Sequence, residues 1–570
     1  MLAKERVDAV VHNFRAAFVA GLALGLEKEL LLLQSGDDPV PLDYQDLVRP
    51  FRFPNQIDEA VASFSPAISA RFQLAAPPLI TEPKTLLERL NLGASAAENE
   101  LQELGYYFLE TDEFRRTLRG EIKIGRKGSG KTAVFAQIRD NIREDKRNVV
   151  LDLKPEGFQL LKFKERVLDY LEEGTKEHTV TAFWEYLLLL EICHKLLAKD
   201  RSLHMRDQRL YAPYRKLADT YYQDDFISEG DFAERMQKLK DRIADDFGAT
   251  FKDEHQKRIL ETGEITELLY KHDVARLRSD VMEYLEFKSS LWILFDNLDK
   301  GWPPYGIQPQ DVLTLRCLLD AMVKIQKELR REDIECHGVV FIRNDVYELL
   351  VANTPDRGKV PSVILDWTDA DLLRELLRRR FLYGDGLDSE MSFDAIWTSI
   401  VISHINGEET SQYLIDRSLM RPRALIELIR HCRSHAVNLR HERIELADIE
   451  QGEEAYSSDL LSTVDFEISD ISPAASNILY EFIEAPVTMS GSAVREMLLR
   501  KVGKDGWEHV LDLLFWYGFL GFIREDGEPA YIYSVKYDIR RLHAIVNKKG
   551  LENAALTINP AFWRALEVRR

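Results

Sequence analysis

The feature that most constrains this sequence is an eight-residue stretch, G-R-K-G-S-G-K-T, at Gly125–Thr132. It fits G-x-x-x-x-G-K-T, a pattern in which backbone N–H groups surround phosphate oxygens. Such a loop needs a strand before it and a helix after it, because the helix N-terminus also faces the phosphates. Glu121–Ile124 predicts a short strand, and the residues from Ala133 onward predict a helix start. The sequence therefore predicts an α/β fold built around a phosphate-binding loop.

The residues of this loop have distinct expected roles. Its three glycines lie where the backbone must pass close to anionic oxygens. Lys131 would bind the β- and γ-phosphates of ATP, and the Thr132 hydroxyl would be a ligand of Mg²⁺. The predicted nucleotide-binding residues are Gly125, Arg126, Lys127, Gly128, Ser129, Gly130, Lys131 and Thr132.

Apolar stretches further along the chain predict the other strands of a parallel sheet. They are Asn148–Lys154, the stretch L-W-I-L-F that begins at Leu291, Gly338–Asp345 and Ser362–Trp367. Strands that alternate with predicted helices form parallel sheets. Residues from about 155 to 288 are strongly helical in pattern and predict a large helical insertion in the core.

A chain of 570 residues is too long for one hydrophobic core and predicts about three or four domains. We assign residues 1–95 to a mainly helical region, 96–367 to the α/β core and 368–462 to a helical region. Residues 463–570 contain three predicted helices and then two alternating stretches around a Gly-Glu-Pro turn. That pattern predicts a β-hairpin, and helices followed by such a hairpin predict a winged-helix domain.

Composition argues against several functional classes. The net charge of −20 argues against a broad nucleic-acid-binding surface. The four cysteines lie far apart with no C-x-x-C pair, which excludes a sequence-local zinc site and fits reduced cytoplasmic thiols. The apolar run at residues 16–26 is shorter than the roughly twenty residues that span a bilayer. We therefore expect a cytoplasmic protein with no membrane contact, in which this run forms a buried helix.

A phosphate loop also needs an acid that holds Mg²⁺ and a group that orients or deprotonates water. Asp296 ends the apolar stretch Leu291–Phe295 and is the predicted metal ligand beside Thr132. In ATP-hydrolysing proteins of this architecture, the position after this aspartate commonly holds a glutamate that acts as the base. Here it is Asn297, and its amide cannot accept a proton from the attacking water. Asp299 would either serve as the base or cap the next turn, and the sequence leaves both interpretations open.

Two further positions are expected near the γ-phosphate. Asn344, at the tip of its predicted strand, would contact that phosphate or the attacking water, with Arg343 as the alternative. Arg421 and Arg423 flank Pro422, which suits the first turn of a helix. From a separate helical domain, Arg423 would bind the γ-phosphate and make domain closure depend on ATP. The competing interpretation of these side chains is that they are simply solvated.

With these residues in hand, the chain resembles AAA+-like P-loop ATPases, particularly bacterial groups near the KAP and STAND classes. It is most similar to standalone bacterial P-loop ATPases, and the resemblance covers roughly residues 90–570. The motifs that carry it are G-R-K-G-S-G-K-T, D-N-L-D-K-G-W at Asp296–Trp302, R-P-R at Arg421–Arg423 and I-N-P-A-F-W-R-A-L at Ile558–Leu566.

The resemblance implies a sheet of the additional-strand type, in which the strand before Asn344 separates the loop strand from the Asp296 strand. It also implies a helical lid after Trp367, with Arg423 as the sensor-2 arginine. The KAP-like counterpart of the Asp296 motif is D-D-L-D, and Asn297 departs from it. Many relatives of this kind belong to bacterial anti-phage defence systems, which is an association by family.

Other P-loop classes lack their signatures here. The sequence has no N-K-x-D motif of GTPases and no L-S-G-G-Q motif of ABC ATPases. In the tail, the predicted helix Trp507–Gly518 contains no lysine or arginine, unlike a DNA recognition helix. We favour a protein contact or an intramolecular clamp for this tail, with weak DNA contact as the alternative.

The sequence therefore predicts an ATP-dependent switch with slow hydrolysis that contacts partner proteins and forms a homo-oligomer. Arg357 lies where an arginine finger of a neighbouring subunit is expected, and a solvated loop is the alternative. The competing functions are a non-hydrolysing nucleotide-bound scaffold and a DNA-remodelling ATPase.

Overall fold

The computed structural model divides the chain into two compact units, Met1–Lys84 and Thr85–Arg570. It describes residues 9–26, 28, 30–36, 47–75, 85–117, 122–125, 128–155, 173–222, 231–250, 264, 269, 273–296, 298, 309–352, 362–365, 367–383, 387–548 and 550–569. Among the helices in these ranges, none combines the length and the apolar composition that crossing a bilayer requires.

The described residues of the first unit form two helices and one pair of parallel strands. The strands β1 (Leu32–Ser35) and β2 (Val48–Phe51) are followed by the helix Pro54–Ala75. The apolar run near the N-terminus lies in the helix Ala9–Gly25, so its helical character is confirmed. Its predicted burial is wrong, because Phe14 and Phe18 are 77% and 74% exposed. Ala9 and Ala20 are the buried residues of this helix.

The second unit is built on a five-stranded sheet with the order β4-β5-β6-β3-β7. Its strands are β3 (Ile122–Ile124), β4 (Val149–Leu153), β5 (Leu291–Phe295), β6 (Cys336–Ile342) and β7 (Ser362–Ile364). Every pair in the sheet is parallel, as the alternation of strands and helices predicts. All five residues of β5 are buried, which is typical of a parallel strand covered on both faces.

The order of the strands confirms one implication of the family resemblance. β6 pairs with β3 on one side, with Ile122 opposite Val340. On its other side β6 pairs with β5, with Leu294 opposite Val339. The strand that precedes Asn344 therefore separates the loop strand from the Asp296 strand.

Helices cover both faces of this sheet. On one face, the helix Lys131–Arg143 packs Phe135 and Ile138 against Phe341 of β6 and Leu294 of β5. On the other face lie the helices Glu173–Asp200 and Pro309–Arg331, which are joined by a hydrogen bond from Trp184 Nε1 to the Thr314 carbonyl at 3.1 Å. The helix Glu173–Asp200, which begins inside the stretch predicted as an insertion, thus contributes to the layer over the sheet. Further described helices of that stretch are Gln208–Leu217, Phe232–Thr250 and Val274–Leu285.

Two short helices precede the loop strand, and a helical region follows β7. Leu104–Tyr107 and Asp112–Thr117 are the helices before the loop strand, after the single turn Leu86–Arg89. The region after β7 contains Ala370–Leu382, Phe393–Ile400, Thr410–Asp416, Pro422–Asn438 and Leu446–Ile471, with the short antiparallel pair β8 (His404–Ile405) and β9 (Glu408–Glu409). The last of these helices continues through residue 462, where we assigned a domain boundary.

The C-terminal residues form a second sheet, with the order β10-β13-β11-β12. Its strands are β10 (Thr488–Ser490), β11 (Leu520–Ile523), β12 (Pro529–Ala530) and β13 (Ala555–Ile558), and the helices beside it are Gly491–Val502, Trp507–Trp516 and Ile539–Asn547. The predicted hairpin is confirmed, because Phe522 of β11 lies opposite Ala530 of β12 in an antiparallel pair. Its second arm is shorter than predicted, because Ile532–Val535 forms a 3-10 helix.

Candidate functional site

The loop Gly125–Thr132 follows β3 directly and leads into the helix Lys131–Arg143. Gly125 donates a backbone hydrogen bond to the Ile342 carbonyl at 3.1 Å, which continues the β3–β6 ladder. A Cβ atom at Gly125 would lie 2.4 Å from Ser129 Oγ and 3.0 Å from the Leu365 carbonyl oxygen, so a larger residue would not fit. Gly130 caps the helix with a φ of +94°, which favours glycine.

Lys131 folds back over the loop that precedes it. Its Nζ donates a hydrogen bond to the Gly125 carbonyl at 2.8 Å. Lys131 and Thr132 begin the helix, so the side chains predicted to bind phosphate and Mg²⁺ stand at its positive end. Arg126 and Lys127, which we also predicted to bind nucleotide, lie outside the described residues.

Asp296 lies at the carboxyl end of β5, where ligands of open parallel sheets bind. Its backbone N–H donates to the Leu153 carbonyl at 3.1 Å, and its side chain is buried. Asp296 and Thr132 line one cavity, together with Gly128, Ser129 and Lys131. The two predicted metal ligands thus line the same cavity. Asp299 and Asn297 lie outside the described residues.

The end of β6 brings Arg343 to this cavity. The strand ends at Ile342, Arg343 follows it, and Asn344 already begins the helix Asn344–Ala352. Asn344 is 3% exposed and does not belong to the cavity wall that the described residues form. Arg343, the alternative candidate, therefore lines the cavity, and the role of Asn344 stays a prediction.

The two arginines around Pro422 point to different neighbours. Pro422 starts the helix Pro422–Asn438, as expected, and Arg423 lines the cavity. The Arg423 backbone N–H donates to the Gly128 carbonyl at 3.4 Å, so this helix contacts the phosphate loop directly. Arg421 is buried away from the cavity, with its Nη1 3.7 Å from Glu467 Oε2.

Trp367 is a residue of the site that the sequence analysis missed. It follows β7, lines the cavity, and donates from its indole Nε1 to the Ser129 carbonyl at 3.0 Å. This bond fixes the Ser129 peptide of the phosphate loop to the residues that follow β7, the strand that pairs with β3. Its position as the last residue of the predicted strand Ser362–Trp367 was the available signal, because the carboxyl ends of parallel strands meet at one edge.

A second missed feature is a buried ion pair between Arg380 and Glu100. Arg380 Nη2 contacts Glu100 Oε1 at 2.5 Å and Arg380 Nη1 contacts Glu100 Oε2 at 3.2 Å. The guanidinium also lies 4.7 Å from the centre of the Tyr107 ring. Burial, followed by the Glu100 carboxylate, raises the pKa of Tyr107 well above its ordinary value, so its hydroxyl stays protonated. All three residues line the cavity.

Other arginines of the helical region hold the backbone of the segment Thr85–Phe108. They are Arg379, which donates to the Phe108 carbonyl at 2.8 Å, Arg423 to Ser95 at 3.4 Å, Arg430 to Gly93 at 2.5 Å, and Arg433 to Leu87 at 2.8 Å. A guanidinium has several donors in a fixed geometry, so each of these arginines can hold one backbone carbonyl in place. The segment lacks long helices, in which such carbonyls would instead accept hydrogen bonds from the backbone. The helical region and this segment therefore form one wall of the cavity.

The cavity has a volume of about 490 Å³, within the usual range for small-molecule sites. Its sheet-side wall has the cationic, glycine-rich loop that phosphates need and a carboxylate that suits Mg²⁺. The cavity is also lined by the apolar and aromatic side chains of Leu104, Tyr107, Phe108 and Phe114. These residues fit a magnesium-bound nucleotide.

Comparison with known proteins gives matches at three levels. A family model described as the FunZ-associated C-terminal helical domain matches residues 371–465, which lie in the helical region. The chain is 23% identical over 506 residues to a protein of Escherichia coli (strain K12) named putative transposon gamma-delta 80.3 kDa protein. That match covers 84% of this chain and 67% of the E. coli protein.

Among solved structures, the Walker-type ATPase PABY2304 of Pyrococcus abyssi matches with 13% identity and a TM-score of 0.34, over 76% of this chain and 96% of that one. The ORC1 protein of Aeropyrum pernix in complex with DNA matches with 13% identity and a TM-score of 0.30, over 76% and 93%. Because these TM-scores are low, we take the P-loop fold from the strand order and loop geometry of this chain alone.

Proposed function

We propose that this protein binds ATP with Mg²⁺ and hydrolyses it slowly, as a molecular switch whose helical region responds to the nucleotide. The observation that carries the proposal is the meeting of the phosphate loop, Asp296 and Arg423 in one cavity. The first two are ligands for a magnesium-bound triphosphate. The third belongs to a helix that contacts the loop through the Gly128 carbonyl.

Each residue would have a defined task with ATP bound. The backbone of the loop would surround the β-phosphate, and Lys131 would turn from the Gly125 carbonyl towards the β- and γ-phosphates. Thr132 and Asp296 would hold Mg²⁺, which neutralises charge on the phosphates during hydrolysis. Arg423 would bind the γ-phosphate and so favour the closed position of the helical region only while ATP is intact. In this proposal the helical region is the lid.

Slow turnover is proposed because Asn297 stands where hydrolysing relatives commonly have a glutamate. Asp299 is the alternative base. A non-hydrolysing assembly scaffold is the second candidate, and the same Asn297 favours it. Single-turnover hydrolysis of γ-labelled ATP distinguishes the two, because a scaffold would release no phosphate above the background rate.

For the C-terminal residues we propose a winged-helix-like domain that acts as an intramolecular clamp or protein contact. The helix Trp507–Trp516 supports this role, because Val510, Leu514 and Phe515 are buried and unavailable to DNA. The hairpin turn between β11 and β12 carries Glu525, Asp526 and Glu528, which would repel phosphates. DNA-stimulated turnover would favour the DNA-remodelling alternative instead.

Oligomerisation, a place in bacterial anti-phage defence and a cytoplasmic location are also proposals, and they rest on the family resemblance and the composition. Arg357, the proposed finger, lies outside the described residues. If Arg357 acts in a neighbouring subunit, specific ATPase activity should rise with protein concentration. The variant Arg357→Ala should then remove that rise without changing ATP affinity. A rate independent of concentration in a monomeric protein would contradict it.

Lys131→Ala tests the proposed function most directly. We expect ATP affinity, measured by calorimetry with Mg²⁺ present, to fall about 100-fold or more, because the variant loses the cation nearest the β- and γ-phosphates. The matched control is Lys146→Ala, in an exposed turn after the same helix, which should bind like the wild type. Unchanged ATP affinity in a folded Lys131→Ala protein would refute the phosphate-loop assignment.

A further inference from the structure

A hydrogen bond links the C-terminal region to a residue that lines the nucleotide cavity. Arg343 Nη2, at the end of β6, donates to the Tyr517 hydroxyl at 2.9 Å, across 174 residues of sequence. Tyr517 follows the helix Trp507–Trp516 and is buried. A cavity-lining cation of the sheet is thus held by a side chain outside the α/β core.

The position of Tyr517 is itself fixed by buried groups. Its hydroxyl donates to the Glu467 carbonyl at 3.3 Å, and its own carbonyl accepts from Arg421 Nη2 at 3.4 Å. Arg421 also pairs with the Glu467 carboxylate. Tyr517, Arg421 and Glu467 are 5%, 4% and 2% exposed, so the group is shielded from water. The Tyr517 hydroxyl therefore accepts a hydrogen bond from Arg343 and donates one to the Glu467 carbonyl. These two bonds, with the bond that Arg421 donates to the Tyr517 carbonyl, keep the hydroxyl beside Arg343.

We infer that Tyr517 is a positioning residue that orients Arg343 for ATP hydrolysis. The inference rests on the proposed function, because it needs a γ-phosphate for Arg343 to face. Hydrogen bonds to a guanidinium are among the stronger ones in proteins. A cation that is already oriented needs no rearrangement when charge develops in the transition state.

This arrangement makes docking of the C-terminal region a condition for turnover and not for binding. Binding depends mainly on the phosphate loop and Lys131, none of which Tyr517 contacts in the hydrogen bonds described above. Loss of the hydroxyl should therefore lower kcat and leave KM and the ATP affinity unchanged. A merely structural role would lower the thermal midpoint without separating kcat from KM.

The test is Tyr517→Phe, which removes the hydroxyl and keeps the ring. We expect kcat to fall about tenfold with an unchanged Kd for ATP, while the thermal midpoint falls no more than in a control that loses another buried tyrosine hydroxyl. Arg343→Ala should lower kcat at least as far, and adding Tyr517→Phe to it should have little further effect, because both changes remove one interaction.

The matched control is Tyr284→Phe, which removes a buried tyrosine hydroxyl bonded to the Asp200 carboxylate at 2.8 Å. Tyr284 lies before the amino end of β5, whereas the cavity lies at the carboxyl end, so its turnover should equal that of the wild type. Undiminished kcat in Tyr517→Phe, or fully additive losses in the double variant, would overturn the inference alone. Absence of any ATP hydrolysis by the wild type would overturn both the proposed hydrolysis and this inference.

Discussion

The two walls of the cavity are built in different ways. The sheet-side wall consists of the phosphate loop and the residues that follow β5, β6 and β7, all at the carboxyl edge of one parallel sheet. The helical wall consists of the segment Thr85–Phe108 and the helices that hold it. On the first wall, strand register sets the position of each side chain. On the second, guanidinium groups bonded to backbone carbonyls and to Glu100 set the positions.

The two walls therefore have different roles: one supplies ligands for phosphate and metal, and the other mainly fixes the shape of the cavity. The sheet-side wall presents Lys131, Thr132 and Asp296, which can bind phosphate and metal. On the helical wall, the Nη1 and Nη2 groups of Arg380 donate hydrogen bonds to the Leu92 carbonyl and the Glu100 carboxylate. Except at Arg423, which we propose to bind the γ-phosphate, we therefore expect substitutions on the helical wall to change stability first. Substitutions on the sheet-side wall should change nucleotide binding or turnover first.

The largest effect on stability is expected for Arg380→Ala. It leaves the Glu100 carboxylate buried without its partner, which costs about 3–5 kcal/mol of folding free energy. The midpoint of chemical denaturation should fall accordingly. Arg379→Ala is the control, because Arg379 is 39% exposed and has no buried carboxylate partner. Loss of its pair with Glu375 and of its hydrogen bond to the Phe108 carbonyl should cost about 1–2 kcal/mol. Equal shifts in the two variants would contradict the special role of the buried pair.

Asp296→Ala should have the largest effect on the sheet-side wall. Magnesium-dependent turnover should fall about 100-fold or more, since the metal contributes several kcal/mol to the transition state, while ADP binding changes less. Single-turnover kinetics with and without Mg²⁺ measure this. Asp152→Ala on neighbouring β4 is the control, because Asp152 pairs with Arg143 and does not line the cavity. A thermal midpoint lowered more by Asp296→Ala than by Arg380→Ala would break the comparison of the two walls.

A smaller effect is expected for Trp367→Phe. The variant loses the indole hydrogen bond to the Ser129 carbonyl, worth about 1 kcal/mol, so ATP affinity should fall about fivefold. Trp563→Phe removes an equivalent indole bond to the Ile558 carbonyl, at 2.8 Å in the C-terminal sheet. Calorimetry should show no loss of affinity in this control. Similar ATP affinities in the two variants would mean that Trp367 does not shape the loop.

The smallest effect concerns pH and the helical region. The hydrogen bond from His441 to Asp448 raises the pKa of His441. A raised pKa means that protonated His441 stabilises the fold below about pH 6.5, and that this contribution is lost as pH rises through the folded pKa. The thermal midpoint should therefore fall as the pH rises above about 6.5.

His441→Gln should make this fall shallower and leave ATP affinity unchanged at every pH. His404→Gln, at the exposed position of β8, should keep the slope of the wild type. If His441→Gln kept the full slope, the pH dependence would have to come from another group.

Local sequence patterns were sufficient for part of this molecule. Apolar periodicity and the positions of glycine and proline are local signals that extend over a few residues. They were sufficient to predict the phosphate loop, the buried strands β4, β5 and β6, and the helices Ala370–Leu382 and Pro422–Asn438. The strand order needed more than these patterns. It followed from the family resemblance, and the pairing of β6 with both β3 and β5 confirms it.

Tertiary structure decided which polar side chains meet. The sequence could not choose Arg343 over Asn344, because that choice depends on where β6 ends, to within one residue. It predicted Arg423 rather than Arg421 at the cavity, but the partner of Arg421, Glu467, becomes visible only when the helices pack. Arg380 and Glu100 are 280 residues apart, and Arg343 and Tyr517 are 174 apart. Local pattern carries no information about such pairs, because packing of distant segments brings them together.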